Sequence, residues 1–143
     1  MPPWFPFIYS YQRKESKNSS SRWVQLATIG VDKTPKVRTV VFRGWSQSYE
    51  IEIYTDKRSK KYDELDLNKN VEICWFFSKS KCQLRLSGTA KIHSGNENIS
   101  HWEKLSEKSK SMWFWPKPGD IFKSDQFKES ALKNNHDISK NFA

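Results

Sequence analysis

A small antiparallel β-barrel with peripheral helices is the fold class this sequence predicts, and three observations predict it. The stretches "YEIEIYT" (49–55) and "CQLRLSGTAKIHS" (82–94) alternate apolar and polar residues with period two, as half-buried strands do. The stretches "KVRTVVFRGW" (36–45) and "VEICWFFS" (71–78) are nearly unbroken β-branched and aromatic runs. Turn-forming clusters punctuate them, and one helical pattern interrupts the strand series. At 143 residues the chain fits a single domain, 1–143, with a core of ordinary size.

The elements follow in order. Residues 4–16 are aromatic, then basic, and predict a short helix. "KNSSS" (17–21) reads as a linker. "RWVQLATIG" (22–30) is the first strand, stopped by Gly30, and "VDKTP" (31–35) is a turn. The strands at 36–45 and 49–55 come next. Asp56 is the expected N-cap of a helix over 58–67, which ends in "NKN". After the strand at 71–78, "SKSK" turns into 82–94, where Gly88 is the expected bulge or barrel corner. Residues 97–113 predict a helix through Ile99, Trp102, Leu105 and Met112. "WPKPGD" (115–120) breaks the chain, and 121–143 is polar and weakly patterned.

Composition narrows the partners. The net charge is +9, from 25 basic and 16 acidic residues, which suggests an anionic ligand. Cys74 and Cys82 form no metal-ligand pattern with any histidine and read as reduced thiols. His93, His101 and His136 have no suggestive spacing, and no Ser-His-Asp or Cys-His set is evident, so no catalytic residue is assigned and no metal is expected. No apolar run approaches the roughly 18–20 residues of a membrane span. "MPPWFPFIYSY" has three prolines and no basic start, so it does not read as a signal peptide, and the cytoplasm is the expected compartment.

One stretch runs against elementary electrostatics. Lys57, Arg58, Lys60 and Lys61 crowd the start of the helix expected over 58–67. A helix N-terminus repels a cation by about 0.3–1 kcal/mol. A phosphate among them reverses that sign, accepting bonds from the backbone and the lysines, with the Ser59 hydroxyl as a further donor. Arg38 and Arg43, five apart on one strand, fall on opposite faces: either one of them faces an interior or a groove and needs an anion there, or both are surface arginines at the strand ends.

"RTVVFRGW", "YTDKRSKK" and "CQLRLSG", in this order and spacing, resemble the FMN-binding split-barrel family of pyridoxamine 5′-phosphate oxidase over residues 22–94. "FWPKPGD" (114–120) resembles the branch with a Trp-Pro-x-Pro-Gly signature. The resemblance implies an antiparallel split barrel that binds flavin mononucleotide (FMN) between two copies of the chain. It places Arg38, Lys60 and Lys61 at the flavin phosphate, with Ser59 as an extra donor. The backbone through Thr39, Val40, Val41 and Phe42 would pass beside the flavin ring, with Arg43 near it. Tyr54 and Thr55 match a cofactor-contacting pair, and Gln83 matches a glutamine at the ring.

Two departures bear on the substrate. Where the vitamin-processing oxidases use Tyr, Arg and Ser to read the substrate phosphate, this chain has "HWEKLSEKSKSMWFWP", with Trp102 for the tyrosine and only Lys104, Lys108 and Lys110 as cations. The chain also stops at "KNFA" (140–143), which reads as a C-terminal truncation leaving an exposed sheet edge. The expected function is therefore an FMN-dependent oxidoreductase of unknown substrate, without pyridoxamine 5′-phosphate oxidation. A homodimer is expected from the resemblance and from aromatics including Trp4, Phe5, Trp75, Trp113 and Trp115. Neither membrane nor nucleic acid is an expected partner. The alternatives are a basic barrel for single-stranded nucleic acid, to which seven tryptophans, five tyrosines and nine phenylalanines are suited, and an inactive flavin-barrel fragment.

Overall fold

The computed structural model describes residues 1–93, 96–114, 116–121 and 142. Two compact units form, one from residues 1–54 and 68–90, the other from 55–67 and 91–143.

The first unit is a five-stranded antiparallel sheet of order β3-β2-β1-β4-β5 with a helix on one face. Its strands are β1 (Trp23–Ile29), β2 (Pro35–Trp45), β3 (Ile51–Ile53), β4 (Asn70–Phe77) and β5 (Cys82–Thr89), and its helix is α1 (Phe5–Lys14). Alternation decides which side chains meet. Val24, Leu26, Val40, Phe42, Ile73, Trp75 and Phe77 all turn to the face that α1 covers with Ile8. Tyr11 of α1 stacks on Phe77 at 5.7 Å, and Trp45 Nε1 donates to Gln12 Oε1 at 2.8 Å. The helix end is tied by Glu15, fully buried, whose carboxylate accepts from Ser80 N at 3.0 Å. The opposite face carries Trp23, Val37 and Phe76, all exposed.

Several expectations change here. "KNSSS" is no linker: Asn18 caps a 3-10 turn over Ser19–Arg22, accepting from Ser20 N at 3.1 Å. The Ser21 carbonyl in that turn accepts from Trp75 Nε1 at 2.7 Å. The third strand is shorter than 49–55, because Tyr49 takes a left-handed turn conformation at φ 62° while Ser46 Oγ accepts from Ser48 N and Glu50 N. Trp75 is buried in the core and is not part of any exposed aromatic surface. No bulge occurs at Gly88, which pairs in regular register with Val71. The register shift lies instead between Phe42 and Gly44, leaving Arg43 as the extra residue of β2. The strand at 82–94 stops at Thr89.

The β1–β2 turn is held by Asp32, whose Oδ1 accepts from Thr34 N and Oγ1 and whose Oδ2 lies 2.8 Å from Lys36 Nζ. The bond from Lys36, then those from Thr34, hold the Asp32 carboxyl well below the ordinary range. A depressed folded pKa gives stability that is present above the unfolded value, about pH 4, and is lost as pH falls toward the folded one. Asp32→Asn should remove that part of the acid-induced decline in thermal stability. Equal slopes below pH 4 in both proteins would contradict it.

The second unit contains α2 (Lys60–Leu67), α3 (Asn96–Glu103) and α4 (Glu107–Ser111), followed by a 3-10 turn at Met112–Phe114. The helix expected over 97–113 is thus interrupted, with Ser106 capping α4 by accepting from Ser109 N at 3.2 Å. Trp102, Trp113 and Phe142 form an aromatic cluster with ring separations of 5.1–6.1 Å. Gly119, at φ 93°, makes the turn in "PKPG". Trp115, His136 and, apart from Ile121 and Phe142, the tail 121–143 lie outside the described residues.

Candidate functional site

β2 presents Arg38 on the core-facing side, in line with Val40 and Phe42. A charged group there needs polar partners. Arg38 Nη1 donates to Thr28 Oγ1 at 2.5 Å and reaches the Leu26 carbonyl at 3.4 Å. Thr28, only 2% exposed, was not singled out from the sequence, although the alternation of β1 puts it on the core face beside Val24 and Leu26. Val40 and Phe42 are committed to the core, so a ligand beside this strand meets backbone and the outward side chains of Thr39 and Val41. Gln83 is exposed on that same outer face, opposite Phe76.

The bulge aims Arg43 toward Tyr54, its guanidinium carbon 5.5 Å from the ring centroid. Burial, then the charge of Arg22, pushes the Arg43 pKa down, while Tyr54 opposes them. Tyr54 is pushed up, by burial first and by Glu52 second. Arg22 is the neighbour that sequence reading missed, because the 3-10 turn before β1, packed beside β2, brings it there. Two buried side-chain polar atoms have no hydrogen-bond partner among the described residues, Arg43 Nε and Thr55 Oγ1. Leaving such an atom unmet costs about 1–3 kcal/mol.

The basic stretch divides into parts. Asp56 does not cap the helix. Its Oδ1 accepts from Arg58 N at 2.8 Å, closing a turn that precedes it. Helix α2 begins only at Lys60, so Lys60 and Lys61 occupy its first turn and Lys57 and Arg58 do not. Arg58 is not one of four equivalent phosphate cations: it grips both oxygens of Asp56, Nη2 to Oδ2 at 2.7 Å. Ser59 is 3% exposed, donates to the Asp56 carbonyl at 2.6 Å and accepts from Lys61 Nζ at 3.0 Å. Lys60 is exposed. The structure thus brings Arg43 to Tyr54 in one unit and Ser59 to Lys61 in the other. Among the described residues no cluster of His, Cys, Asp or Glu could hold a metal, and no helix is long and apolar enough to cross a membrane.

Comparison with known proteins places this arrangement. The family described as pyridoxamine 5′-phosphate oxidase, FMN-binding domain, matches residues 1–94. The chain is 34% identical over 133 residues to pyridoxine/pyridoxamine 5′-phosphate oxidase 2 of Arabidopsis thaliana, covering 87% of this chain and 67% of that protein. It is 28% identical over 125 residues to pyridoxine/pyridoxamine 5′-phosphate oxidase of Psychrobacter cryohalolentis, covering 86% of this chain and 57% of that one. The chain therefore spans between about half and two thirds of these relatives. A crystal structure of a pyridoxamine 5′-phosphate oxidase-related, FMN binding protein from Nostoc punctiforme superposes with a TM-score of 0.86 at 29% identity, over 99% of this chain and 78% of that one. The sheet is accordingly that of a split barrel.

Proposed function

The chain belongs to the pyridoxamine 5′-phosphate oxidase FMN-binding domain family, and from that premise we propose that it binds FMN and serves as a flavin-dependent oxidoreductase for a small-molecule substrate. The observation that carries the reading is the pair of orphaned buried atoms, Arg43 Nε and Thr55 Oγ1. Both belong to residues that the motif resemblance assigns to the cofactor. Each is a dehydrated polar atom left unpaired, one in either unit, and each is suited to contact with a ligand. Lys60, Lys61, Ser59 and Arg38 are the groups for the phosphate. Gln83, Arg43, Tyr54 and the β2 backbone through Thr39, Val40, Val41 and Phe42 are those for the ring. When bound, FMN supplies the electron transfer, and the protein supplies binding and orientation.

Oxidation of pyridoxamine 5′-phosphate is left out of the proposal. The stretch 101–116, which departs from the vitamin-processing oxidases, holds no arginine; its Lys110 is paired with Glu107 at 3.1 Å, and Lys104 and Lys108 are exposed. A second copy of the chain is the proposed partner, supported by Trp23, Val37 and Phe76 on the uncovered sheet face.

Titration should show FMN quenched at micromolar protein and riboflavin, which lacks the phosphate, bound much more weakly. Light scattering should give about twice the 17.0 kDa chain mass. Equal affinity for the two flavins would remove the phosphate site. Steeply salt-dependent oligonucleotide binding without flavin binding would favour the nucleic-acid reading instead.

A further inference from the structure

Four cations stand within five residues of one another at 57–61, yet their surroundings differ. We propose that Arg58 is a positioning residue and not a phosphate ligand: with Asp56 it clamps the turn that presents Ser59 and Lys61. The proposal rests on the phosphate reading above and assigns Arg58 a separate role within it.

The geometry is that of a closed clasp. Arg58 Nε lies 3.0 and 3.2 Å from the two Asp56 oxygens, and Nη2 lies 2.7 Å from Oδ2. The same Nη2 reaches the Trp113 carbonyl at 3.4 Å, across 55 residues of sequence. The Asp56 side chain is 11% exposed and that of Arg58 30%. The backbone of Asp56 also bridges antiparallel to Phe142, inside the aromatic cluster with Trp113. Asp56 in turn sets Ser59, whose N–H and hydroxyl both donate to the Asp56 carbonyl, at 3.0 and 2.6 Å. Ser59 Oγ then accepts from Lys61 Nζ. A chain of contacts thus runs from Trp113 through Arg58 and Asp56 to Ser59 and Lys61.

The chemistry separates Arg58 from its neighbours. A guanidinium spread over both oxygens of a carboxylate has its fork occupied and its charge neutralised locally. The bond to Asp56 is also the largest cause raising the Arg58 pKa. Engaging a phosphate would require this pair to open and would leave a part-buried carboxylate facing a dianion. Lys57, Lys60 and Lys61 carry no such fork, and an ammonium cannot replace one.

The sign of one substitution decides between the two roles. If Arg58 bound phosphate, Asp56→Asn would release it and tighten FMN. As a clamp, Asp56→Asn and Arg58→Ala should each weaken FMN about tenfold, with riboflavin affinity changed less than about twofold, and the double variant should be no worse than either single one. Arg58→Lys, which keeps the charge without the fork, should resemble Arg58→Ala. Tighter or unchanged FMN binding by Asp56→Asn, or full rescue by Arg58→Lys, would overturn the proposal. Amide hydrogen exchange on the flavin-free chain gives a second readout. Both single variants should lose protection at residues 58–62 relative to β4, and unchanged protection there would overturn the clamp. Absence of FMN binding by the unaltered chain would defeat the phosphate reading alone, because exchange still tests the clasp.

Discussion

Trp75→Ala should lower folding stability by about 3–5 kcal/mol, the cost of deleting a fully buried aromatic side chain. Trp75 is 0% exposed and sits among Phe42 at 4.8 Å, Phe77 at 5.1 Å and Trp45 at 6.4 Å. Its indole N–H is also the donor to the Ser21 carbonyl, so truncation removes a bond as well as filling. Trp23, 53% exposed on the other face of the same sheet, is the control. Trp23→Ala should change the stability of the single chain by no more than about 0.5 kcal/mol. Urea unfolding at low protein concentration, with the m-value checked for constancy, compares the two. Similar losses at both positions would mean that the sheet faces are assigned wrongly.

Lys61→Ala and Arg38→Ala should each weaken FMN binding by about 1.5–3 kcal/mol, the size of a lost charge-assisted hydrogen bond. That corresponds to roughly 10- to 150-fold in Kd. Lys57→Ala should cost less, since Lys57 lies in the turn before α2 and outside the helix's first turn. The two strong variants should differ in their flavin-free stability. Lys61→Ala relieves a cation at a helix N-terminus but also takes a donor from the buried Ser59 hydroxyl, so the two effects oppose and it should be less destabilising than Arg38→Ala. Arg38→Ala takes a hydrogen-bond donor from the buried Thr28 hydroxyl and should be destabilising. Calorimetric titration with thermal melts of all three variants reads both effects. Equal affinity losses at Lys57 and Lys61 would point to a diffuse basic face in place of a defined phosphate site.

All five strands could be located from the sequence, as could α1 and α2 to within two residues, because alternation, apolar runs and turn residues are local signals. The motif residues could be named for the same reason: "RTVVFR", "YTDKRSKK" and "CQLRLSG" are contiguous. Faces were another matter. In "VEICWFFS" alternation sets Val71, Ile73, Trp75 and Phe77 against Glu72, Cys74, Phe76 and Ser78, but it cannot say whether the second face, with Phe76, is covered as well. Pairing with β1 and β5 and the packing of α1 decide that. Gly88 is where backbone freedom favours a bulge, but the β2–β3 hairpin sets the register and places it at Arg43.

The charge puzzle at 57–61 shows the same division. The sequence by itself determined that cations gather before a helix, and with them a reason to look for phosphate. It could not determine which of those cations are available to a ligand. That depends on Asp56 closing a turn back onto Arg58, and on a carbonyl 55 residues further along the chain. Local propensity depends on neighbours in sequence, whereas the availability of a charge depends on every group that folding brings within hydrogen-bond reach, and only the tertiary structure decides that.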